Sequence, residues 1–274
     1  MTTRTPAVAG TFYEGTPQRL RAQVAACFDA NPAPVSRERL IGAVVPHAGL
    51  MYSGHVAAAL YATADLPKRL IILCPNHTGY GHQAAINRDG DWLTPLGPVP
   101  VDSALAAEIA AICTIVQPDP VAHAREHSLE VQLPFLQQLL GDFTFVPICL
   151  AVHRYELCEQ IGLALASVIA AHREGNESIA VIASSDLNHY ESQQITLRKD
   201  QRAIDRVVAL DPRGLWEVVE KEDISMCGFI PTTTMLIAAL QLGATEGHLV
   251  KHATSGDING DYSAVVGYAS ILVS

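Results

Sequence analysis

Three histidines of this chain lie at points where an aliphatic run gives way to a short polar turn. They are His47 within residues 44–49, His77 within residues 73–79 and His189 at the end of residues 183–189. In an open α/β sheet the carboxyl ends of neighbouring strands meet at one edge, and ligands bind there. Imidazole is a common ligand of iron, copper and zinc. Three such turns therefore predict that the histidines converge on one metal site.

The turns around His47 and His77 contain residues that stiffen or open the backbone. Pro46 precedes His47 and Gly49 follows it, while Pro75 comes two residues before His77. Proline fixes the backbone torsion φ, and glycine lets a ligand or another segment approach closely. A single histidine in such a turn is also typical of a surface hydrogen bond. Each histidine alone leaves both interpretations open, and their occurrence at three strand ends favours the metal site.

Two further residues have alternative interpretations. Asp186 lies three residues before His189, and its carboxylate is expected either to accept the second N–H of an imidazole or to cap a helix. Cys227 lies between Met226 and Gly228, and a cysteine among apolar neighbours is most often a small core residue. Taken alone, the Cys227 thiol is a weaker candidate ligand than the three imidazoles.

The segment at residues 126–130 concentrates polar side chains in the order Glu-His-Ser-Leu-Glu. On a helix, His127 and Glu130 are three residues apart and share a face, so we expect them to line a pocket or to support its ligands. The alternative is a helix that begins near Ser128 and has glutamates at its positive end. The spacing is compatible with both.

Hydrophobic periodicity predicts strands that alternate with helices. Continuous apolar runs, typical of strands covered on both faces, lie at 40–45, 69–74, 143–150, 178–183 and 264–273. Apolar residues at helical spacing lie at 54–63, 103–112, 154–172, 192–210 and 232–242, with Asp102 as an N-cap and Gly243 as a C-cap. This alternation predicts an α/β fold, with a single domain over residues 1–274 and a central, mostly parallel or mixed sheet flanked by helices. The proline-rich pieces at 31–34 and 94–100 are too short to divide it.

The composition limits the classes of partner. Of the 274 residues, 49% are hydrophobic, and the formal net charge is −10. The excess of carboxylates opposes attraction to a phosphate backbone, so a nucleic-acid partner is not expected. No apolar run approaches the roughly 18 residues of a membrane span, and the first residues lack the apolar core of a signal peptide. Six cysteines in a chain of this length are typical of free thiols in a reducing compartment, and we expect a cytoplasmic protein.

Six collinear parts of the chain, spread over nearly its whole length, carry a resemblance to a known family. They are residues 4–13 (RTPAVAGTFY), 46–49 (PHAG) with 52–54 (YSG), 75–77 (PNH), 126–130 (EHSLE) with 133–135 (LPF), 184–189 (SSDLNH) and 227–228 (CG). In these motifs the chain resembles the MEMO family, which includes the bacterial and archaeal proteins called AmmeMemoRadiSam system protein B. The resemblance implies a fold similar to the class III extradiol ring-cleavage dioxygenases, whose non-haem Fe(II) is held by two histidines and a carboxylate.

The resemblance also implies roles for individual residues. The metal ligands would be His47, His77 and Cys227. The catalytic residues beside the metal would be His189, as the acid/base group, and Asp186. The residues of the pocket, or around the ligands, would be His127, Glu130 and Asn76.

A cysteine stands where the dioxygenases have a glutamate. A thiolate is softer than a carboxylate, favours Cu(I), zinc or a thiolate-bound iron, and can itself be oxidised. We expect Fe(II) as the cofactor, with copper or zinc as alternatives. The expected reaction is a redox reaction related to that of the dioxygenases.

Two classes of function follow from these residues. The first is a metal-dependent oxidoreductase acting on a small molecule, and the second is a non-catalytic module that binds a peptide or protein in the same pocket. A zinc hydrolase is a third interpretation, since two histidines and a cysteine with an open position also suit catalytic zinc. A serine hydrolase of Ser184 or Ser185 with His189 lacks the G-x-S-x-G motif. By family association, the resemblance also implies a radical SAM protein and an AMMECR-type domain as partners.

Overall fold

Strands and helices alternate along most of the chain, which the structure, a computed structural model, describes over residues 3–31 and 37–274. The strands are β1 (Thr3–Arg4), β2 (Glu38–Arg39), β3 (Gly42–Val45), β4 (Ala64–Asp65), β5 (Arg69–Pro75), β6 (Ala84–Ile86), β7 (Asp91–Thr94), β8 (Gly97–Pro100), β9 (Gln117–Pro118), β10 (Thr144–Leu150), β11 (Ile179–Ser184), β12 (His189–Glu191), β13 (Gly247–Thr254) and β14 (Val265–Val273). The helices are α1 (Pro17–Asp29), α2 (Leu50–Thr63), α3 (Ser103–Ile112), α4 (Leu133–Leu140), α5 (Tyr155–Glu174), α6 (Gln193–Val208), α7 (Pro212–Lys221), α8 (Phe229–Gln241) and α9 (Gly256–Asn259), and a 3₁₀ turn, Glu130–Gln132, precedes α4. The proline-rich piece at 31–34, apart from Asn31, lies outside the described residues, as do residues 1–2 of the predicted domain.

A large mixed sheet with a parallel centre organises the domain. Its strand order is β12-β14-β3-β11-β5-β10-β6-β9, and β13 pairs with the outer side of β14. The central strands β3, β11, β5 and β10 are parallel, whereas β14 and β6 join them in the antiparallel sense. The prediction of one α/β domain with a mostly parallel, mixed sheet flanked by helices is confirmed.

Helices cover both faces of this sheet and divide the core in two. One face packs against α3, α5, α6, α7 and α8, and the other against α1, α2 and α4. Alternate residues of a strand supply the two cores. Ile71 and Leu73 of β5 belong to the first, whereas Ile72 and Cys74 belong to the second. The strands are unbroken apolar runs in the sequence because both of their faces are covered.

The predicted strands and helices are present, with shifted ends. The helix predicted over 54–63 begins earlier, at Leu50, directly after the turn that carries the first histidine. The helix predicted over 192–210 ends at Val208. It stops there because Leu210 has a φ of 54°, in the left-handed region where an α-helix does not continue.

The predicted N-cap Asp102 is confirmed, the C-cap of α8 is Leu242, one residue before the predicted Gly243, and several elements were missed. Asp102 accepts a hydrogen bond from the Leu105 backbone N–H at 3.1 Å, and Gly243, with a φ of 86°, follows the end of α8. The sequence interpretation omitted α1, α4 and α7, the strand β13, and the strand β6 that lies between β10 and β9. The proline-rich piece at 94–100 is the turn and second strand of the β7–β8 hairpin. Within the described ranges, no helix has the length and apolar character needed to cross a bilayer.

A buried glutamate fastens the N-terminal segment to the body of the domain. The Glu130 carboxylate accepts hydrogen bonds from the Arg4 guanidinium at 2.6 Å and from the Tyr13 hydroxyl at 2.5 Å. The backbone N–H groups of Ala7 and Val8 donate to it at 2.8 and 3.1 Å. Glu130 has no exposed surface. One carboxylate therefore holds the segment over residues 4–13 in place.

We expect Glu130→Ala to lower the free energy of unfolding by about 3–5 kcal/mol, because it leaves the buried Arg4 guanidinium without its carboxylate. Urea unfolding followed by circular dichroism measures this change. Glu156→Ala is the matched control, since Glu156 pairs with Arg154 only at 4.0 Å on the surface and its loss should leave stability nearly unchanged. An equal loss in both variants would contradict the anchoring role of Glu130.

Candidate metal centre

The turn after β3 holds His47 at the carboxyl edge of the sheet. Its side chain is buried, with 2% exposed. The Nδ1 atom lies 2.9 Å from the hydroxyl of Ser184, the last residue of the neighbouring strand β11. The Nε2 atom lies 3.3 Å from the sulfur of Cys227. The ring therefore bridges the edge of the sheet and the cysteine.

Asp186 fixes the backbone of the same turn. Its Oδ1 accepts hydrogen bonds from the backbone N–H groups of His47 at 2.8 Å and Ala48 at 3.3 Å. The next helix begins only at Gln193, with Ser192 as its N-cap residue. Both roles expected from the sequence, orienting an imidazole and capping a helix, are therefore wrong. Sequence spacing could not show that the carboxylate binds main-chain groups of a distant turn.

The turn after β5 places His77, and a buried glutamate orients its ring. Glu126 accepts hydrogen bonds from His77 Nδ1 at 2.9 Å and from the His77 backbone N–H at 2.7 Å. Ser128 donates its backbone N–H at 2.9 Å and its hydroxyl at 2.6 Å to the same carboxylate. An ionised carboxylate only accepts, so Nδ1 carries the ring proton and Nε2 keeps a lone pair for a ligand. Glu126 performs the role that the sequence interpretation assigned to Asp186.

Cys227 reaches the site because Gly228 lets the start of α8 approach the sheet. A Cβ at Gly228 would lie 2.4 Å from the Ser184 carbonyl oxygen, so only glycine fits between the helix and β11. Cys227 is partly exposed, whereas the other five cysteines are buried. It lines a pocket with His47. The interpretation of Cys227 as an ordinary core residue is wrong.

Three donor atoms come together at this edge. They are one ring nitrogen each of His47 and His77 and the sulfur of Cys227, and all lie within 4.8 Å of one another. In a tetrahedral zinc site, with bonds near 2.1 Å to nitrogen and 2.3 Å to sulfur, a nitrogen and a sulfur ligand are about 3.6 Å apart. The 3.3 Å between His47 Nε2 and Cys227 Sγ is close to that distance. The donor set therefore fits a metal ion.

His127 lies beside these donors, as the sequence predicts. Its ring stacks on His77, with centroids 4.8 Å apart, and contacts Phe12 at 4.7 Å. His77, Glu126 and His127 form a second group whose ligand atoms lie within 4.8 Å of one another. The Glu126 oxygens already accept four hydrogen bonds, so the group with Cys227 is the better metal site.

The donors open into a cavity of about 730 Å³. Its lining residues are Thr11, Phe12, His47, Ala48, Gly49, Tyr52, His77, His127, Asp186, His189, Tyr190, Ser225, Cys227, Val266 and Tyr268. Among the lining residues that the structure describes, there is neither Lys nor Arg. The described lining is therefore aromatic and polar, and Asp186 is the one carboxylate among these residues.

His189 stands in the wall of this cavity. Its Nδ1 donates to the Ser225 carbonyl oxygen at 2.8 Å, and its backbone N–H donates to the Ser225 hydroxyl at 2.8 Å. A carbonyl only accepts, so the proton of the neutral ring lies on Nδ1 and Nε2 is free. The next residue, Tyr190, has a φ of 61°, which is unfavourable for an aromatic residue. Such backbone strain is concentrated at functional sites.

Burial and hydrogen bonding set the protonation of these groups. Burial, and next the nearby His77, holds the pKa of His47 well below its usual value, so this ring is neutral at pH 7. Burial also disfavours the charged form of His77, but its hydrogen bond to Glu126 outweighs this and raises the pKa. Burial opposes ionisation of Glu126, yet the hydrogen bond from His77 lowers its pKa to about 2. Burial raises the pKa of the Cys227 thiol, and a bound cation would reverse that effect.

Two predicted pocket residues lie outside the cavity lining. Asn76 shapes the turn after β5, where its Oδ1 accepts from the backbone N–H groups of Thr78 at 3.1 Å and Gly79 at 2.9 Å. Glu130 holds the N-terminal segment, whose residues 11–12 reach the cavity. Both residues support the walls from behind. Whether Asn76 and Glu130 line the cavity or lie behind its wall depends on tertiary contacts, which sequence spacing does not specify.

Comparison with known proteins gives the family. The family model for Memo-like proteins matches residues 4–272. This chain belongs to the MEMO1 family. It is 44% identical to a MEMO1 family protein of Methanopyrus kandleri over 98% of both chains. It is 43% identical to another from Methanothermobacter thermautotrophicus, over 98% of this chain and 99% of the relative.

A solved structure shares the fold at low sequence identity. The crystal structure of an uncharacterized protein from Escherichia coli K12 matches with a TM-score of 0.54 and 14% identity, covering 85% of this chain and 100% of that one. At this identity the likeness concerns the fold alone, because one fold hosts many functions. The family resemblance seen in the sequence motifs is confirmed by the family model and the relatives.

We expect Gly228→Ala to lower the free energy of unfolding by about 1–3 kcal/mol, because the added methyl group collides with the end of β11. Urea unfolding measures the change. Gly175→Ala is the control, since a Cβ there would meet only the His172 carbonyl oxygen at 3.3 Å. If both variants are equally stable, the close approach of α8 to the sheet does not depend on this glycine.

Proposed function

We propose that this protein is a metal-dependent redox enzyme whose metal is held by His47, His77 and Cys227. The observation that carries the proposal is the convergence of three donor atoms, within 4.8 Å of one another, in the wall of an open cavity. We propose iron as the metal, with copper and zinc as alternatives, because two imidazoles and a thiolate suit all three.

The position of the site supports a relation to the class III extradiol ring-cleavage dioxygenases. The donors lie at the carboxyl edge of a mixed α/β sheet, which is where that class of fold binds its ligands. A bound redox metal with three protein ligands would supply open positions for O₂ and a chelating substrate. The chain contributes the ligand orientation, through Glu126 on His77 and Asp186 on the His47 turn.

His189 is the proposed acid/base residue. Its Nδ1–H is held by the Ser225 carbonyl, so Nε2 is the atom that takes a proton from a substrate hydroxyl and later returns it. Asp186 lines the same cavity, and its Oδ1 holds the backbone of the His47 turn. We therefore assign Asp186 a positioning role rather than a share in proton transfer.

The cavity wall favours a neutral, aromatic small molecule as the ligand. Phe12, Tyr52 and Tyr268 supply aromatic surface, and the described lining residues include no cationic Lys or Arg that would pair with a carboxylate or phosphate. A phenol-like substrate would pack against these rings and bring its hydroxyl to His189. The pocket thus matches the chemistry proposed for the metal and for His189.

The second candidate is a non-catalytic module that binds a peptide or protein in the same cavity. Tyr190 favours it, because this cavity residue is 78% exposed and aromatic side chains are enriched in protein interfaces.

A zinc hydrolase would use the same three ligands. A radical SAM protein and an AMMECR-type domain remain proposed partners, to be tested by co-purification. The six free cysteines are consistent with the proposed cytoplasmic location.

We expect protein purified without oxygen or chelators to contain near-stoichiometric iron or copper, and His47→Ala and Cys227→Ala to lose it, because each change removes one of three ligands. Elemental analysis by mass spectrometry measures the content. His153→Ala is the matched control, since His153 is exposed and is not a residue of the cavity lining. Wild-type protein without metal, or with zinc that is indifferent to both changes, would favour the binding module instead.

We expect Fe(II)-loaded protein to consume O₂ with a member of a catechol panel, and His189→Gln to lower kcat by roughly 10²–10⁴-fold with unchanged iron content, because the acid/base group is gone. An oxygen electrode and iron analysis give the two readouts. His153→Gln should behave as wild type. Turnover by His189→Gln at the wild-type rate would refute its assigned role, and wild-type protein that consumes no O₂ with any catechol would count against the dioxygenase relation.

A further inference from the structure

The His47 ring differs from that of His77 in the kind of partner that it has. The carboxylate of Glu126 only accepts, so it defines which nitrogen of His77 carries the proton. The Ser184 hydroxyl both donates and accepts, so its 2.9 Å contact with His47 Nδ1 is compatible with either tautomer. The other partners of Ser184 decide between them.

Ser184 has two further partners, and each acts in only one way. The Ser128 carbonyl oxygen, at 2.7 Å, can only accept. The Gln132 Nε2, at 2.9 Å, can only donate. The orientation of this amide is fixed, because the same Nε2 donates to the Pro46 carbonyl oxygen at 3.0 Å and Oε1 accepts from the Tyr61 hydroxyl at 2.8 Å. With the amide reversed, two acceptor oxygens would face each other.

One proton assignment satisfies all three contacts of the hydroxyl. Its single proton goes to the Ser128 carbonyl, because otherwise oxygen lone pairs would meet at 2.7 Å. One acceptor site is filled by Gln132, and the other is left for a donor at His47 Nδ1. The ring proton therefore lies on Nδ1. His47 Nε2 then presents its lone pair on the side where Cys227 lies.

We infer that one buried hydrogen-bond network, running from Gln132 through Ser184 and Ser128 to Glu126, sets the ring protons of both metal-site histidines. Ser128 joins the two halves, since its carbonyl accepts from Ser184 while its N–H and hydroxyl donate to Glu126. All four residues have no exposed surface, so bulk solvent does not reach their polar atoms. In such an interior, fully satisfied polar networks rigidify the groups they hold.

This network also explains why polar side chains are concentrated at residues 126–130, the segment in which the sequence predicts His127 and Glu130 as pocket residues. Glu126 and Ser128 are the members that act on the histidines, and Gln132 follows two residues after the segment ends. Ser184 and Gln132 are positioning residues, because they act on the site through the His47 ring. The assignment of the ring protons stands on the hydrogen bonds alone. Its consequence, that the Nε2 lone pairs of His47 and His77 are available to bind a metal, rests on the proposed function.

Replacing the hydroxyl tests the network. In Ser184→Ala the Nδ1–H of His47 loses its acceptor, so we expect the ring to shift toward the Nε2–H form and metal affinity to fall by about 10–100-fold. Ser184→Thr restores the hydroxyl and should recover the wild-type ring state. Ser270→Ala is the matched control, because Ser270 is equally buried in the same sheet and donates only to the Val56 carbonyl oxygen at 2.6 Å.

Two-bond ¹H–¹⁵N correlation spectra of metal-free, ¹⁵N-histidine-labelled protein at alkaline pH report which ring nitrogen carries the proton. We expect Nδ1–H at both His47 and His77 in the wild type, loss of this pattern at His47 alone in Ser184→Ala, and no change in Ser270→Ala. An Nε2–H form at His47 in the wild type overturns the inference, as does an unchanged His47 in Ser184→Ala. Should that variant fail to fold, the wild-type spectrum decides alone. The expected tautomers in a protein that binds no metal would support the network and refute the proposed function.

Discussion

The parallel hydrogen bonding of β3, β11 and β5 is the constraint on which the site depends. In this register Ser184 pairs with Val45, and Ala183 pairs with Leu73, so the three strands end at nearly the same level. The turns that follow them consequently lie side by side. A strand shifted by two residues would move its turn by roughly 6–7 Å along the sheet, since each residue advances a strand by about 3.3 Å. The donor atoms would then no longer meet.

The buried polar residues behind the ligands need hydrogen bonds to offset their burial, and those hydrogen bonds fix the orientation of the ligands. A buried carboxylate or hydroxyl is unfavourable unless it is hydrogen-bonded. Glu126 accepts four hydrogen bonds and Ser184 makes three contacts, so their burial is compensated. Because these bonds use main-chain groups and side chains from several parts of the chain, the histidines have little freedom to turn. The cavity is therefore formed around ring nitrogens that are already aimed at one point.

Much of the fold and part of the site were predictable from local patterns. The apolar runs gave the central strands, and the histidines at their ends gave two of the three donors, because strand ends in an α/β sheet share an edge. Cys227 was recognised only through family resemblance, since its neighbours are those of a core residue. The role of Glu126 was missed because it depends on a contact with His77 that spans 49 positions. Helices α1 and α7 were predictable from the sequence but were not predicted. Each has a proline near its start and apolar residues at helical spacing.

X-ray absorption at the edge of the bound metal tests most directly whether His47, His77 and Cys227 form one metal site. The account predicts a shell of sulfur near 2.3 Å beside nitrogen near 2.1 Å, to within about 0.2 Å. In Cys227→Ser reconstituted with added metal, the sulfur shell should vanish while the imidazole scattering remains. A wild-type spectrum without sulfur, or a sulfur shell that survives Cys227→Ser, would contradict the account.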